Sequence, residues 1–326
     1  MYNDIKLEKG LYNLSGKSFT AALEELDPSS AYAGTPLEKL DAFERQLKRF
    51  NIRISGQDCD CVEKFFSSTE TAVLFPEFVT RSIRKGFDET ILGSVCAAKT
   101  VISSSKYLGC VLDDSEEYSA TAQTDALPEA TVTEGTDPIT LSKYGRLISA
   151  SYEAVRQQRL DVFGVMLRSI GVRLAASVVK TAVTVLAADA TEIETAETTL
   201  AYSDLASLYG SFSDFDMTTV IADPTNASLI AAMEQVKNCT TNAEGRLVLP
   251  LGAELIKCAA ADDDAIIGID RDFALEFITS TDLVMETDKL IDRQLDQMTV
   301  SITCGFKKIT PDAVKVLKIK SAENNG

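Results

Sequence analysis

The clearest hydrophobic pattern along the chain is a stripe within residues 157–186. Its members recur three and four positions apart and are Leu160, Phe163, Leu167, Ile170, Leu174, Val178 and Ala182. This spacing places them on one face of a helix and predicts a single helix on the order of 45 Å long. Gly164 and Gly171 fall two turns apart on one side of this helix. They either allow another backbone to approach closely or are simply tolerated.

Two shorter amphipathic helices are predicted within the first 90 residues. The first begins with Thr35 as the N-cap, Pro36 at the first helical position and a capping box completed three residues after the cap. The second is signalled by Pro76 and ends at Gly86. Residues 1–34 show weak periodicity and several turn formers, so we interpret them as an extended arm with at most one short helix.

Strand patterns dominate elsewhere. Short β-branched runs lie between residues 91 and 112, and segments 131–133 and 139–152 predict a long two-stranded arm joined by a polar loop. A hairpin alone is only marginally stable in water, so this arm needs a surface, which another subunit would supply. A helix over 224–236 belongs to an α/β region. Further strands are predicted at 217–222, 246–251, 273–277, 283–285, 299–303 and 314–319.

Composition narrows the classes of function. The 326 residues hold 49 acidic and 32 basic side chains, a net charge of -17, so a broad basic face for nucleic acid is not expected. The chain has no His, which excludes Ser-His-Asp and Cys-His machinery and His-ligated metals. Seven Cys without a secretory segment indicate a reducing cytoplasm. No charge-free apolar run approaches the roughly 20 residues of a membrane span, so no membrane partner is predicted.

Charge is distributed unevenly. The segment 112–137 has no Lys or Arg but eight acidic residues: Asp113, Asp114, Glu116, Glu117, Asp125, Glu129, Glu134 and Asp137. Residues 138–185 carry seven basic side chains against two acidic ones. These segments are either complementary surfaces of neighbouring copies or ordinary solvated faces. Our hypothesis is that the acidic segment packs near Arg156 and Arg159 of an adjacent copy. The candidate intersubunit residues are Asp113, Glu116, Glu117, Glu134, Asp137, Lys143, Arg146, Arg156 and Arg159.

Three short motifs carry candidate chemistry, and none is convincing. Gly16-Lys17-Ser18 with Gly10 upstream has five residues between the glycines where a P-loop has four. Cys59-Asp60-Cys61 lacks the second pair and the spacing of a zinc site. Asp262-Asp263-Asp264 is a weak candidate for a divalent ion, because three adjacent residues cannot all face one ion. The cluster would hold such an ion in a rival interpretation of the chain as a cytoplasmic enzyme that uses carboxylates. We therefore predict no catalytic residues, no cofactor and no metal.

Several strings, in order, resemble tailed-bacteriophage major capsid proteins of the Hong Kong 97 fold. The resemblance covers roughly residues 70–320, and its weight rests on the order of the strings. They are Leu74-Phe75-Pro76-Glu77-Phe78-Val79, Glu134-Gly135-Thr136, Asp161-Val162-Phe163 before the long helix, Ile269-Asp270-Arg271-Asp272-Phe273-Ala274-Leu275-Glu276, Gly305-Phe306-Lys307-Lys308-Ile309 and Pro311-Asp312-Ala313.

The resemblance implies an α+β fold with an N-terminal arm, an extended β-hairpin loop, a peripheral domain with a long spine helix, and an axial α/β domain. The implied boundaries are 1–90 for the N-terminal arm with two helices, 91–112 for the first part of the peripheral domain, 113–152 for the extended loop, 153–189 for the spine helix, 190–270 for the axial domain and 271–326 for the closing peripheral strands. In that family the N-terminal arm reaches a neighbour and the extended loop lies over the adjacent subunit.

The implied function is that of the major capsid protein of a tailed double-stranded DNA bacteriophage, assembled in the bacterial host cytoplasm and located in the virion. Expected partners are further copies in hexamers and pentamers of an icosahedral shell, a portal protein, a separate scaffolding protein, decoration proteins and packaged DNA bound without sequence specificity. The N-terminus is expected to be retained, and no isopeptide cross-link is predicted for Lys143. The alternative is an encapsulin-like compartment shell protein of the same fold.

Overall fold

A computed structural model describes residues 4–14, 17–104, 106–114, 120–123, 127–280, 282–290 and 295–320. The helices in these residues are α1 (Phe19–Leu26), α2 (Ala42–Arg49), α3 (Thr69–Asp88), α4 (Leu92–Val95), α5 (Tyr152–Arg156), α6 (Leu160–Ala187), α7 (Tyr202–Gly210) and α8 (Pro224–Ala232). The strands are β1 (Ala98–Val101), β2 (Lys106–Tyr107), β3 (Cys110–Asp113), β4 (Thr131–Glu134), β5 (Ile139–Thr140), β6 (Ser142–Ser151), β7 (Thr191–Glu194), β8 (Thr219–Ala222), β9 (Glu254–Lys257), β10 (Ala265–Ile269), β11 (Leu275–Thr279), β12 (Val284–Leu290), β13 (Leu295–Lys308) and β14 (Val314–Lys318).

The chain forms two compact units. Unit 1 comprises Met1–Thr90, Gly145–Ala175 and Leu283–Ser301, and unit 2 comprises Ile91–Tyr144, Ala176–Asp282 and Ile302–Gly326. Each unit is assembled from three separate stretches of chain, and the domain boundaries expected from the sequence stay a prediction. The long helix predicted over 157–186 is confirmed as α6, which has 28 residues.

In unit 1, α3 and α6 cross at a point where glycine is required on both helices. A Cβ on Gly171 would lie 2.0 Å from the carbonyl oxygen of Ile83, and one on Gly86 would lie 2.0 Å from that of Arg168. Gly164 has room, because the nearest atom to its Cβ position is 3.7 Å away. Gly171 thus allows the close approach, and Gly164 is merely tolerated. Gly86 was expected to end the helix, but it lies inside α3 and serves this contact.

The N-terminal 90 residues contain three helices of eight residues or more: α1 is the one short helix allowed for residues 1–34, and α2 and α3 correspond to the two predicted amphipathic helices. Helix α2 begins after Asp41, whose carboxylate accepts from the Glu44 N–H at 2.8 Å, so the predicted cap at Thr35 is wrong. Helix α3 begins after Ser68 and not at Pro76, which lies in its interior. Within this chain the helices pack together on buried apolar residues: Phe19, Leu23, Phe43, Leu47, Leu74 and Phe78.

The hydroxyl of Tyr12 compensates for the proline inside α3. Proline lacks an N–H and its ring opens the preceding turn of a helix. Here the Tyr12 hydroxyl donates to the Val73 carbonyl at 2.8 Å and accepts from the Glu77 N–H at 3.1 Å, so it stands between two backbone groups that would otherwise pair with each other. Burial, together with the Glu77 carboxylate, raises the pKa of Tyr12, so the hydroxyl keeps its proton.

A fully buried arginine fixes the segment between α1 and α2. Arg45 donates to the Asp27 carboxylate, its carbonyl and the Leu40 carbonyl, each at 2.5 Å. Its guanidinium also lies 4.4 Å from the centre of the Tyr32 ring. Because these contacts tie Asp27, Tyr32 and Leu40 to Arg45 on α2, residues 27–45 are a folded part of unit 1.

The larger sheet of unit 2 has the strand order β7-β14-β10-β8-β9, and β8, β10 and four of the five residues of β14 are buried. Strand β8 and helix α8, which Asp223 caps, confirm the predictions for 217–222 and the start of 224–236. Two predictions are wrong. Residues 246–251 form turns and isolated bridges, and the strand follows at β9. Strand β14 joins this sheet and not the closing peripheral strands.

A second sheet involves the closing strands. In unit 2, β1 pairs in parallel with β11, and β11 pairs antiparallel with residues 304–308 of β13. In unit 1, β12 pairs antiparallel with residues 295–301 of β13. Strand β6 also pairs with β13. The strands predicted around 273–277, 283–285 and 299–303 are confirmed in position.

Candidate assembly surfaces

The structure has a two-stranded arm, but the predicted pairing of 131–133 with 139–152 is wrong. Strand β2 pairs with β5, and β3 pairs with β4, both antiparallel. We refer to residues 106–140 as the arm. The expected partner of 131–133 was 139–152, yet most of that segment is β6, which pairs with β13. The arm lies within unit 2, and its residues 115–119 and 124–126 are outside the described residues.

The distal ladder of the arm has no buried face. All eight residues of β3 and β4 are exposed. Three of them are large and apolar: Val111, Leu112 and Val132 are 47%, 61% and 67% exposed. A half-buried strand normally alternates between a covered and a solvated side. This ladder is therefore an element whose cover does not come from the described part of its own chain.

The acidic candidates lie along this arm. Asp113 and Glu134 are exposed on β3 and β4, at opposite ends of the ladder, where they face Thr131 and Cys110 respectively. Asp137 is exposed after β4 and accepts from the Thr136 hydroxyl at 3.4 Å. Glu116 and Glu117 lie outside the described residues. The arm therefore presents negative charge beside exposed apolar side chains.

The basic candidates are more dispersed than the sequence suggested. Lys143 and Arg146 are both exposed on β6, but three positions apart in a strand they face opposite sides. Arg156 lies on α5, and its guanidinium is 5.6 Å from the centre of the Phe66 ring. Arg159 lies just before α6, in an isolated bridge with Cys61.

Arg159 already has partners in its own chain. Its Nη2 donates to the Asp161 carboxylate at 2.8 Å and to the Gly56 carbonyl at 3.1 Å. The hydrogen bond from Arg159 holds the pKa of the Asp161 carboxyl below its usual range, and the same bond raises the pKa of Arg159. The Arg159 side chain remains 47% exposed, so its guanidinium can still meet a second carboxylate.

The motifs considered for chemistry have structural positions. Ser18 accepts from the Ala21 N–H and caps α1, while Gly16 lies outside the described residues. The Cys59 sulfur accepts from the Asp161 N–H at 3.2 Å. The Asp263 carbonyl accepts from the Asn226 amide at 2.8 Å, and Asp264 lies 3.6 Å from Lys318. Within the described ranges, no group of three or more acidic or Cys side chains is arranged to hold a metal ion.

Comparison with known proteins then decides the family. A family model described as phage capsid protein matches residues 134–307, which is more than half of the chain. The chain belongs to this phage capsid protein family. No curated protein matches the sequence of this capsid protein.

Solved structures give the fold. The capsid of a native GTA particle is 14% identical, with a TM-score of 0.53, over 73% of this chain and 91% of that chain. The holo-SrpI encapsulin complex from Synechococcus elongatus is 12% identical, with a TM-score of 0.53, over 71% and 87%. The structure of Microbacterium phage Oxtober96 is 11% identical, with a TM-score of 0.50, over 69% and 89%. These likenesses confirm the predicted α+β Hong Kong 97-type fold of the capsid protein.

Sequence reasoning missed one surface of this capsid protein, on α6. Four large apolar residues of this helix are between 45% and 66% exposed, and we name them the α6 strip: Val162, Val165, Met166 and Val172. At 100° per residue they cluster on the side opposite the buried stripe. By length and composition α6 would suffice to cross a membrane, a test that core helices of folded proteins also pass. The missed signal was that the helix is apolar on both sides.

Proposed function

We propose that this capsid protein is the major capsid protein of a tailed double-stranded DNA bacteriophage. Its copies would form the hexamers and pentamers of an icosahedral shell that encloses the genome. The observation that carries the proposal is the distal ladder of the arm. Every residue of β3 and β4 is exposed, although three of these residues are large and apolar. Such an element is stable only when another surface covers it. The family membership supports a further copy as that surface.

In the proposed assembly, the arm of one copy lies on the α6 strip of an adjacent copy. Both surfaces expose large apolar side chains, so their contact would remove apolar area from water. Their charges are complementary, because the arm is acidic and Arg156, Arg159 and Arg173 lie before or along α6. Charge of this kind sets register and rate of approach more than affinity. The proposed contact residues on the arm side are Asp113, Glu116, Glu117, Glu134 and Asp137, and those on the basic side also include Lys143 and Arg146.

The remaining partners follow from the same proposal. A portal protein, a separate scaffolding protein and decoration proteins would join the shell in the bacterial host cytoplasm. The net charge of -17 favours a lining over which packed DNA slides and to which it does not adhere. No sequence-specific contact with DNA is proposed.

An encapsulin-like compartment shell is the second candidate. Its support is the shared fold, which is as similar to the holo-SrpI encapsulin complex as to the GTA capsid, with a TM-score of 0.53 in both cases. The two candidates share the assembly mechanism and differ in what the shell encloses. Their discrimination therefore depends on the contents of the particles.

Electron microscopy of the purified protein tests the assembly part of the proposal. We expect closed, uniform particles of far greater mass than the 35.3 kDa chain. A small discrete oligomer that resists assembly at every protein concentration and salt would contradict it. Particles recovered from the native host are then treated with nuclease. Protected double-stranded DNA supports the phage capsid, whereas particles that hold only folded protein support the compartment shell.

A further inference from the structure

The arm contains a joint between its two short ladders. Two residues, 108 and 109, face four residues, 135–138, between the paired positions Tyr107–Ile139 and Cys110–Glu134. Gly109 has a φ of +64°, a left-handed conformation that favours glycine. A Cβ on Gly135 would lie 2.6 Å from the Leu108 carbonyl oxygen. The strand pairing is thus interrupted at two glycines, between the proximal ladder of β2 and β5 and the distal ladder of β3 and β4.

One side chain spans this joint. The ammonium of Lys307, on β13, donates to the Cys110 carbonyl at 2.6 Å and lies 3.5 Å from the Leu108 carbonyl. The two carbonyls stand on either side of Gly109. A Cβ on Gly109 would lie 2.5 Å from this ammonium, so glycine also leaves the space that Lys307 occupies. Lysine has three donors, and its charge strengthens each bond.

The proximal side of the joint is fixed independently of Lys307. The Tyr107 hydroxyl donates to the Glu276 carboxylate at 3.0 Å, and the Thr100 hydroxyl donates to the same oxygen. Gly305 allows β5 and Leu141 to lie close to β13, because a Cβ there would be 2.9 Å from the Leu141 side chain. The proximal ladder therefore has several anchors. Among the described residues, Lys307 is the only residue of β13 whose side chain donates a hydrogen bond to the distal strand β3.

We propose that Lys307 is a positioning residue that fixes the direction in which the distal arm is presented to a neighbouring copy. This inference rests on the proposed function, because the neighbour is a second copy of this chain. A two-stranded ladder that is joined through glycines can adopt many orientations in solution, and restricting it to one on binding costs conformational entropy. An arm that is already held in one orientation loses less conformational entropy on binding, so the subunits associate at a lower concentration.

Hydrogen exchange of the free subunit tests the inference with Lys307→Met. We expect the amides of 110–113 and 131–134 to exchange at least about tenfold faster, the size expected for loss of a bond to a charged donor. The subunit concentration needed for assembly should rise by about tenfold through lost preorganisation. Lys308→Met is the matched control, because the Lys308 ammonium donates at 2.5 Å to the Ala188 carbonyl, outside the arm. It should leave arm exchange unchanged.

Two further results decide the matter. Lys307→Arg keeps a charged donor and should restore most of the protection. If Lys307→Met does not fold, Lys307→Gln takes its place. Its neutral amide is a weaker donor, so the amides of 110–113 and 131–134 should exchange faster than in the wild type. Equal exchange in the wild type, the Lys307 variants and Lys308→Met would overturn the inference. Exchange is measured on the unassembled subunit, so this failure is distinct from a failure of the wild type to form shells.

Discussion

The α3–α6 crossing and the distal ladder of the arm differ in packing: the crossing is tightly packed, and the ladder is exposed. At the crossing the backbones approach so closely that neither Gly86 nor Gly171 has room for a methyl group. In the arm every residue of β3 and β4 is exposed, including Val111, Leu112 and Val132. The first region is packed within one chain, whereas the second leaves apolar side chains exposed, and in the proposed assembly a further copy would cover them. Substitutions at the crossing should therefore change folding, and substitutions in the arm should change assembly alone.

The largest effect on folding is expected at Arg45 in unit 1. Arg45→Met leaves the Asp27 carboxylate buried without its cation, and breaking a buried pair in this way costs about 3–5 kcal/mol. Urea unfolding of the free subunit measures the loss. Arg53→Met is the control, since its pair with Asp58 at 3.2 Å is exposed on both sides. That variant should differ from the wild type by less than about 0.5 kcal/mol, and equal losses would refute the assignment.

The crossing itself is tested by two alanines seven residues apart on α6. Gly171→Ala forces a methyl against the Ile83 carbonyl, and overpacking of this kind should cost about 2–3 kcal/mol. Gly164→Ala adds a methyl where there is space, so the gain in helix propensity should stabilise the subunit by about 0.5–1 kcal/mol. We expect thermal unfolding to show a lower melting temperature for Gly171→Ala and a higher one for Gly164→Ala than for the wild type. The same sign for both variants would mean that the helices are not packed as described.

A smaller loss is expected for Tyr12→Phe. The change leaves the Val73 carbonyl and the Glu77 N–H without the hydroxyl that joins them, which should cost about 1–2 kcal/mol. Tyr209→Phe is a suitable control, because the Tyr209 hydroxyl makes no hydrogen bond among the described residues. Chemical denaturation of both variants gives the difference. A Tyr12→Phe subunit as stable as the control would show that α3 tolerates Pro76 without this contact.

The smallest effect on folding is expected in the arm. Val132→Ser should change the stability of the free subunit by less than about 0.5 kcal/mol, because the side chain is already exposed. It should nonetheless weaken assembly, measured by light scattering against subunit concentration. Val101→Ser is a matched control, since Val101 is 69% exposed and Val132 is 67% exposed, and Val101 lies outside the arm. Equal assembly of the two variants would remove Val132 from the proposed interface.

Local patterns predicted α6 well because its buried stripe continues for 28 residues in one register. They could not separate Gly164 from Gly171, since the difference lies in what crosses the helix. The start of α3 was misplaced because proline is normally tolerated only in the first turn of a helix, and the hydroxyl that compensates for Pro76 inside α3 comes from Tyr12, 64 residues earlier. The capping pattern at Thr35 was a decoy, because Asp41 and Glu44 form a second one six residues later.

Non-local pairing was the main obstacle in the sheets and in the candidate site. Strand 131–134 had two possible neighbours of similar character, and its partner 110–113 lies beyond a long acidic segment. The acidity of the arm was evident from the sequence, but the partners of Arg159 within its own chain were not. The α6 strip was overlooked because apolar residues on a long helix were all attributed to the core. Exposure is a property of the fold, and periodicity alone does not give it.

Removal of the distal arm tests the central claim most directly. Because the Gly135 N–H donates to the Gly109 carbonyl at 2.9 Å, a two-residue Asn-Gly turn can replace residues 110–134 without displacing the ends. Sedimentation velocity then compares this variant with the intact protein. The account predicts a folded subunit that stays unassembled while the intact protein forms shells. Normal closed shells from the shortened chain would contradict it.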